Sequence, residues 1–97
     1  MAIAVIMDFT GNNLDDYDKV VERLGLTPGG PGAAGGLFHW VSGTDGGARV
    51  VDVWQTREQA DSFYQDTLGP ISAELGIQQP EMTFYDVHNF QTAGPAA

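Results

Sequence analysis

The chain has 97 residues, no cysteine, and 13 acidic side chains against 4 basic ones, a formal net charge of -9. That length predicts one domain over residues 1–97, small enough to bury only roughly two thirds of the surface its unfolded chain exposes. The charge repels phosphate backbones, so nucleic acid is excluded as an expected partner, and the lack of cysteine excludes disulfides and thiolate metal sites. No basic leader followed by an apolar stretch is present, and no apolar run approaches the roughly 20 residues of a membrane span, so the expected location is cytoplasmic, without membrane contact.

In chain order, Ala2 to Phe9 alternates as a strand, with Ile3, Val5, Met7 and Phe9 on one face and Ala4, Ile6 and Asp8 on the other. Both faces are mostly apolar, which predicts a central strand. Asn13 is placed to cap a helix whose buried stripe is Leu14, Tyr17, Val20, Val21 and Leu24, and Gly25 is placed to end it in a left-handed conformation. The segment 26–36 carries prolines and many glycines, is neither helix nor strand, and is longer than an ordinary connection. It is read either as a flap over a cavity mouth or as a tolerated surface insertion. Its run GGPGAAGG is not a phosphate loop, because it has neither the lysine nor the hydroxyl that such a loop needs.

Leu37 to Ser42 and Arg49 to Gln55 read as strands joined at Asp45-Gly46, a strong hairpin signal. With that pair at the turn tip, Leu37 lies opposite Trp54, His39 opposite Asp52 and Val41 opposite Val50. His39, Asp52 and Trp54 then share one face, and Phe38, Trp40, Val51 and Val53 the other. Thr56, with Gln59 three residues on, starts a second helix with the stripe Ala60, Phe63, Tyr64 and Thr67, which Gly69-Pro70 is expected to break. A short turn over Ile71 to Leu75 and a last strand over Thr83 to Phe90 complete the chain. That strand puts Phe84, Asp86, His88 and Phe90 on one face and Tyr85, Val87 and Asn89 on the other, and the tail 92–97 is expected to fray.

The resulting β-α-β-β-α-β order specifies an α+β, ferredoxin-like sandwich with helices on one sheet face only, so the other face needs its own cover. The run Arg49-Val50-Val51-Asp52-Val53-Trp54-Gln55-Thr56-Arg57-Glu58-Gln59-Ala60-Asp61-Ser62-Phe63 resembles the strand–tryptophan–helix segment of the antibiotic-biosynthesis-monooxygenase-like proteins of the dimeric α+β barrel superfamily. The order of elements extends the likeness over about residues 2–90. The resemblance implies a homodimer in which two sheets pack face to face. Some members of that superfamily oxidise polycyclic phenols or quinol-like molecules without metal or flavin, while others degrade haem, isomerise lactones or have no established activity. An exposed apolar sheet face independently favours association.

The candidate catalytic pair is His39 as general base and Asp52 as the carboxylate that fixes its tautomer. Trp54, Phe84 and Tyr85 are candidate walls for a planar apolar small molecule, and His88 and Asp8 are candidate polar contacts. Each has a competing structural reading: a cross-strand His39–Asp52 pair that satisfies two polar groups, a core anchor for Trp54, a hydrogen-bonding residue for His88, and a turn acceptor for Asp8. No HxH, HxxxH or HExxH spacing is present, so no metal and no cofactor is expected. The functional expectation is a monooxygenase-like protein that oxidises a planar phenolic or quinol-like small molecule without a cofactor; a non-catalytic binding protein or a structural homodimer is the alternative.

Overall fold

The computed structural model describes residues 1–11 and 14–95. Its strands are β1 (Ile3–Thr10), β2 (Gly36–Thr44), β3 (Gly47–Trp54) and β4 (Glu81–Asp86); its helices are α1 (Leu14–Leu24), α2 (Arg57–Phe63) and α3 (Gly69–Glu74). The strands form one sheet in the order β2-β3-β1-β4, antiparallel at every junction, with β1 central as its two apolar faces require. The connection from β1 through α1 skips over β3 to reach β2, which makes the ferredoxin-like split βαβ arrangement. Asn13, the expected cap of α1, lies outside the described residues.

Period-two alternation divides the sheet into two chemically different faces. Facing the helices, Ile3, Val5, Met7, Val50 and Trp54 form the core with Ala60 of α2. On the opposite face, Phe38, Val53, Ala4 and Tyr85 make one cross-strand row, and Trp40, Val51, Ile6 and Thr83 make the next. Phe38, Trp40 and Tyr85 are exposed there.

The hairpin closes as a two-residue loop at Asp45-Gly46, with Thr44 opposite Gly47, and only the glycine takes a positive φ. Gly47 has no room for a side chain, because a Cβ there would stand 1.8 Å from the Phe9 carbonyl oxygen. His39 pairs with Asp52 and Val41 with Val50, but Gly36, rather than the expected Leu37, faces Trp54. The register breaks between Gly36 and Phe38 because the chain enters β2 from a tight turn, in which Gly36 N–H donates to the Ala33 carbonyl and Gly35 takes a φ of 85°. The extra residue is absorbed as a bulge at the strand entry.

Thr56 caps α2 as expected, its hydroxyl accepting from the Gln59 N–H at 3.2 Å. Gly69-Pro70, however, does not break the helix. Residues Tyr64–Leu68 form a π-helical turn that leads directly into α3, with Gly69 N–H donating to the Tyr64 carbonyl. Widening the turn moves the ladder past the position where proline has no N–H to give, and Pro70 falls in the first turn of α3, where none is needed. The last strand also differs from expectation: β4 stops at Asp86, because that residue faces Ile3, the first residue of β1, and beyond it there is no strand to pair with.

At the Trp54 end of β3 the helical layer is packed on the sheet, with Trp54 against Phe63 and Tyr64 at ring-centroid distances of 5.1 and 5.8 Å. Over β2 and β3, α1 and the segment 26–36 stand away from the sheet. A cavity of about 970 Å³ separates them.

Candidate functional site

The cavity is lined on the sheet side by Met7, Val41, Val50, Asp52 and Trp54, and on the helix side by Tyr17, Val20 and Leu24. Residues of the glycine-rich segment, among them Pro28, Gly30 and Pro31, close one end. Its volume is that of a small-molecule pocket, and its wall is apolar apart from a few converging polar groups.

Those polar groups form one hydrogen-bonded chain. Asp52, on β3, is the one buried charged residue among the described residues. One of its carboxylate oxygens accepts from His39 Nδ1 at 2.5 Å, and the other accepts from the Tyr64 hydroxyl at 2.7 Å. The Tyr64 oxygen in turn accepts from Trp54 Nε1–H at 2.9 Å. At the other end, the Tyr17 hydroxyl lies 2.5 Å from His39 Nε2, with the two rings nearly parallel at 9°.

The chemistry of the donors orients the chain. Indole N–H can only donate, so the Tyr64 hydroxyl is left to donate to Asp52, and an ionised carboxylate can only accept. Neutral His39 therefore carries its proton on Nδ1, toward Asp52, and its lone pair on Nε2, where the Tyr17 hydroxyl donates to it. Both tyrosines are weaker acids than free phenol. Burial is the first cause in each case and the negative charge of Asp52 the second, and for Tyr64 the hydrogen bond to Asp52 adds to the effect. Both hydroxyls thus stay protonated as donors. Every buried side-chain nitrogen and oxygen among the described residues has a partner, so the network is complete as it stands.

Local sequence places each member. His39 and Asp52 meet because the two-residue hairpin sets them directly opposite on the inward face. Tyr17 reaches them from the buried stripe of α1, and Tyr64 sits at the start of the π turn, where Gly69 lets the chain approach; a Cβ on Gly69 would lie 2.8 Å from the Tyr64 carbonyl oxygen. His39 is on an edge strand, with 44% of its side chain exposed, and so marks the rim of the cavity, while Asp52 marks its floor.

The other candidate residues fall elsewhere. Trp54 lines the cavity and is also a core anchor. Phe84 shares the inward row His39–Asp52–Val5–Phe84, but it lies at the far edge of the sheet, covered by the Arg57 guanidinium 3.7 Å from its ring centroid, and it does not line the cavity. Tyr85 is on the open face, on the other side of the sheet from the cavity. Alternation puts Asp8 on that open side too, where it accepts from Arg49 at 2.7 Å; the turn it was expected to cap includes Asn12 and Asn13, which lie outside the described residues. His88 is exposed, two residues past the end of β4. Tyr17 and Tyr64, assigned from sequence only to helix stripes, complete the site. The signal for them is the inward Asp52: a carboxylate on a core-facing strand position needs donors, and phenols on the helix stripes facing it can supply them.

No family model matches the chain, and no curated protein matches it. Among solved structures, that of a variant of SnoaB, a cofactor-independent oxygenase from Streptomyces nogalater, is similar, with a TM-score of 0.61 over 92% of this chain and 95% of that one at 12% identity. The chain therefore has the fold expected from its order of elements, the ferredoxin-like α+β fold that SnoaB also has.

Proposed function

We propose that the protein is a cofactor-independent, monooxygenase-like enzyme that oxidises a planar phenolic or quinol-like small molecule in the cavity beneath α1. The observation that carries this reading is the His39–Asp52 pair at the cavity wall, with the imidazole lone pair held on Nε2 by a carboxylate bound to Nδ1. A phenol whose hydroxyl reaches Nε2 gives up its proton there, and Asp52 stabilises the imidazolium that forms. The phenolate left behind is electron-rich enough to reduce dioxygen directly: a ring carbon–oxygen bond forms to give a hydroperoxide, whose O–O bond breaks as the carbon loses its proton, one oxygen staying as a quinone carbonyl and the other leaving as water. Apolar walls and Trp54 hold the ring and keep water from it. The fold shared with an oxygenase that needs no cofactor is consistent with this reading.

The same reading includes a homodimer formed through the open sheet face, where Phe38, Trp40 and Tyr85 would leave water. In that assembly the cavity of each protomer stays on the helix side, so each active site belongs to one chain. Oxygen consumption with a panel of polycyclic phenols and quinols, comparing native protein with His39→Gln, tests the function. Native turnover that falls in the variant supports it; a panel that binds but is never oxidised makes the protein a binding module instead.

A further inference from the structure

The lone pair of His39 Nε2, the atom on which the proposed chemistry depends, is already occupied by a phenol. With His39 neutral, the Tyr17 hydroxyl of α1, 2.5 Å away, donates to it. An imidazole nitrogen has one lone pair and accepts one strong hydrogen bond, so a ligand hydroxyl and the Tyr17 hydroxyl cannot both hold it. Resting on the reading of this cavity as a site for planar phenols, we propose that Tyr17 is an internal competitor: a resident phenol that a ligand hydroxyl displaces from His39, so that the site selects molecules able to take its place.

Three observations support displacement. Tyr17 itself lines the cavity and is only half-buried, on a helix that the cavity separates from the sheet, so its side chain has space on the ligand side. Its ring runs nearly parallel to that of His39, which shows that the rim accommodates a flat phenolic ring in that position. Asp52, itself held by the Tyr64 hydroxyl, keeps the imidazole in place while the exchange occurs, because it contacts Nδ1, on the other side of the ring from Nε2.

Displacement makes a prediction opposite in sign to a supporting role. Removing the Tyr17 hydroxyl leaves Nε2 free for the ligand, so binding of a hydroxylated ring improves while binding of the same ring without the hydroxyl does not. The test measures the affinities of 2-naphthol and naphthalene for the full chain by tryptophan fluorescence, in native protein, Tyr17→Phe and Tyr17→Leu. The expected result is that the ratio of 2-naphthol to naphthalene affinity rises about three- to tenfold in both variants, the worth of one net hydrogen bond. Taking the ratio cancels any change in cavity volume or packing that both probes feel. A ratio that falls shows that Tyr17 helps to hold the ligand hydroxyl, and an unchanged ratio shows that the two hydroxyls never compete; either overturns the proposal while leaving the cavity reading intact. Absence of binding by both probes in all three proteins overturns the cavity reading and this proposal with it.

Discussion

The two faces of the sheet are built from the same strands and solve opposite problems. The inward face mixes a core of Ile3, Val5, Met7 and Val50 with a polar row, His39 and Asp52, and among the described residues every buried side-chain nitrogen and oxygen is matched to a donor or acceptor. The outward face has two apolar rows, bordered by the cross-strand Arg49–Asp8 ion pair, and shows its large side chains to solvent. Burying polarity costs stability unless it is paired, whereas exposing aromatic side chains in rows invites association. The contrast separates chemistry from assembly: the inward face carries the candidate reaction and the outward face the candidate dimer.

That separation can be broken from either side. The largest effect is expected on the outward face. Phe38→Glu or Trp40→Glu should weaken self-association by about a hundredfold or more, because a twofold interface feels each new charge twice. Sedimentation over a micromolar concentration range would read this, and a native protein that stays monomeric throughout would remove the assembly half of the comparison. The next effect is on the inward face: His39→Gln and Asp52→Asn should each lower turnover by at least about tenfold without altering the sedimentation behaviour, since one removes the base and the other its tautomer control. Turnover unchanged from the native protein in both variants would reject the pair as catalytic.

A pH experiment sharpens the inward half. In the folded chain the Tyr64 hydroxyl is held well above its ordinary value of 10.0, and Tyr17 shifts in the same direction. A raised value means that the unfolded state ionises first, so this contribution is complete below pH 10 and is lost as the pH climbs above it. Stability should fall in that window by up to about 1.4 kcal/mol per pH unit from Tyr64, the more buried of the two. Tyr64→Phe should reduce the slope, as denaturant unfolding at a series of alkaline pH values will show; an unchanged slope would mean that Tyr64 is not the group responsible. The smallest effect concerns Trp54→Phe, which keeps most of the aromatic packing but removes the N–H that Tyr64 accepts, and it should cost about 1 kcal/mol of stability. A much larger loss would assign Trp54 chiefly to the core, and none would show that the indole hydrogen bond is replaceable by water.

The site was half legible. Hairpin chemistry at Asp45-Gly46 and strict alternation were enough to set His39 against Asp52, because in an antiparallel pair the loop length dictates every opposition that follows. The same rule missed at Leu37, where a glycine turn outside the hairpin inserted a residue. His88, Tyr85 and Asp8 lie away from the cavity, because alternation or the end of a partner strand carries each of them elsewhere. Tyr17 and Tyr64 went unassigned because the residues they meet are 22 and 12 positions away, on another layer.

What the sequence by itself determined is local and periodic: the order of elements, the central place of β1, the Thr56 cap, the hairpin and the face on which each strand residue lies. These follow from backbone preferences and from the two-residue repeat of a strand, which need no knowledge of distant neighbours. Only the tertiary structure decided that α2 runs on through a π turn past Gly69-Pro70, that α1 stands off from the sheet to leave a cavity, and that two tyrosines from different helices converge on one histidine–aspartate pair. Those outcomes depend on how a helix layer settles on a sheet, where the separation is fixed by side chains far apart in the chain and no periodicity records it.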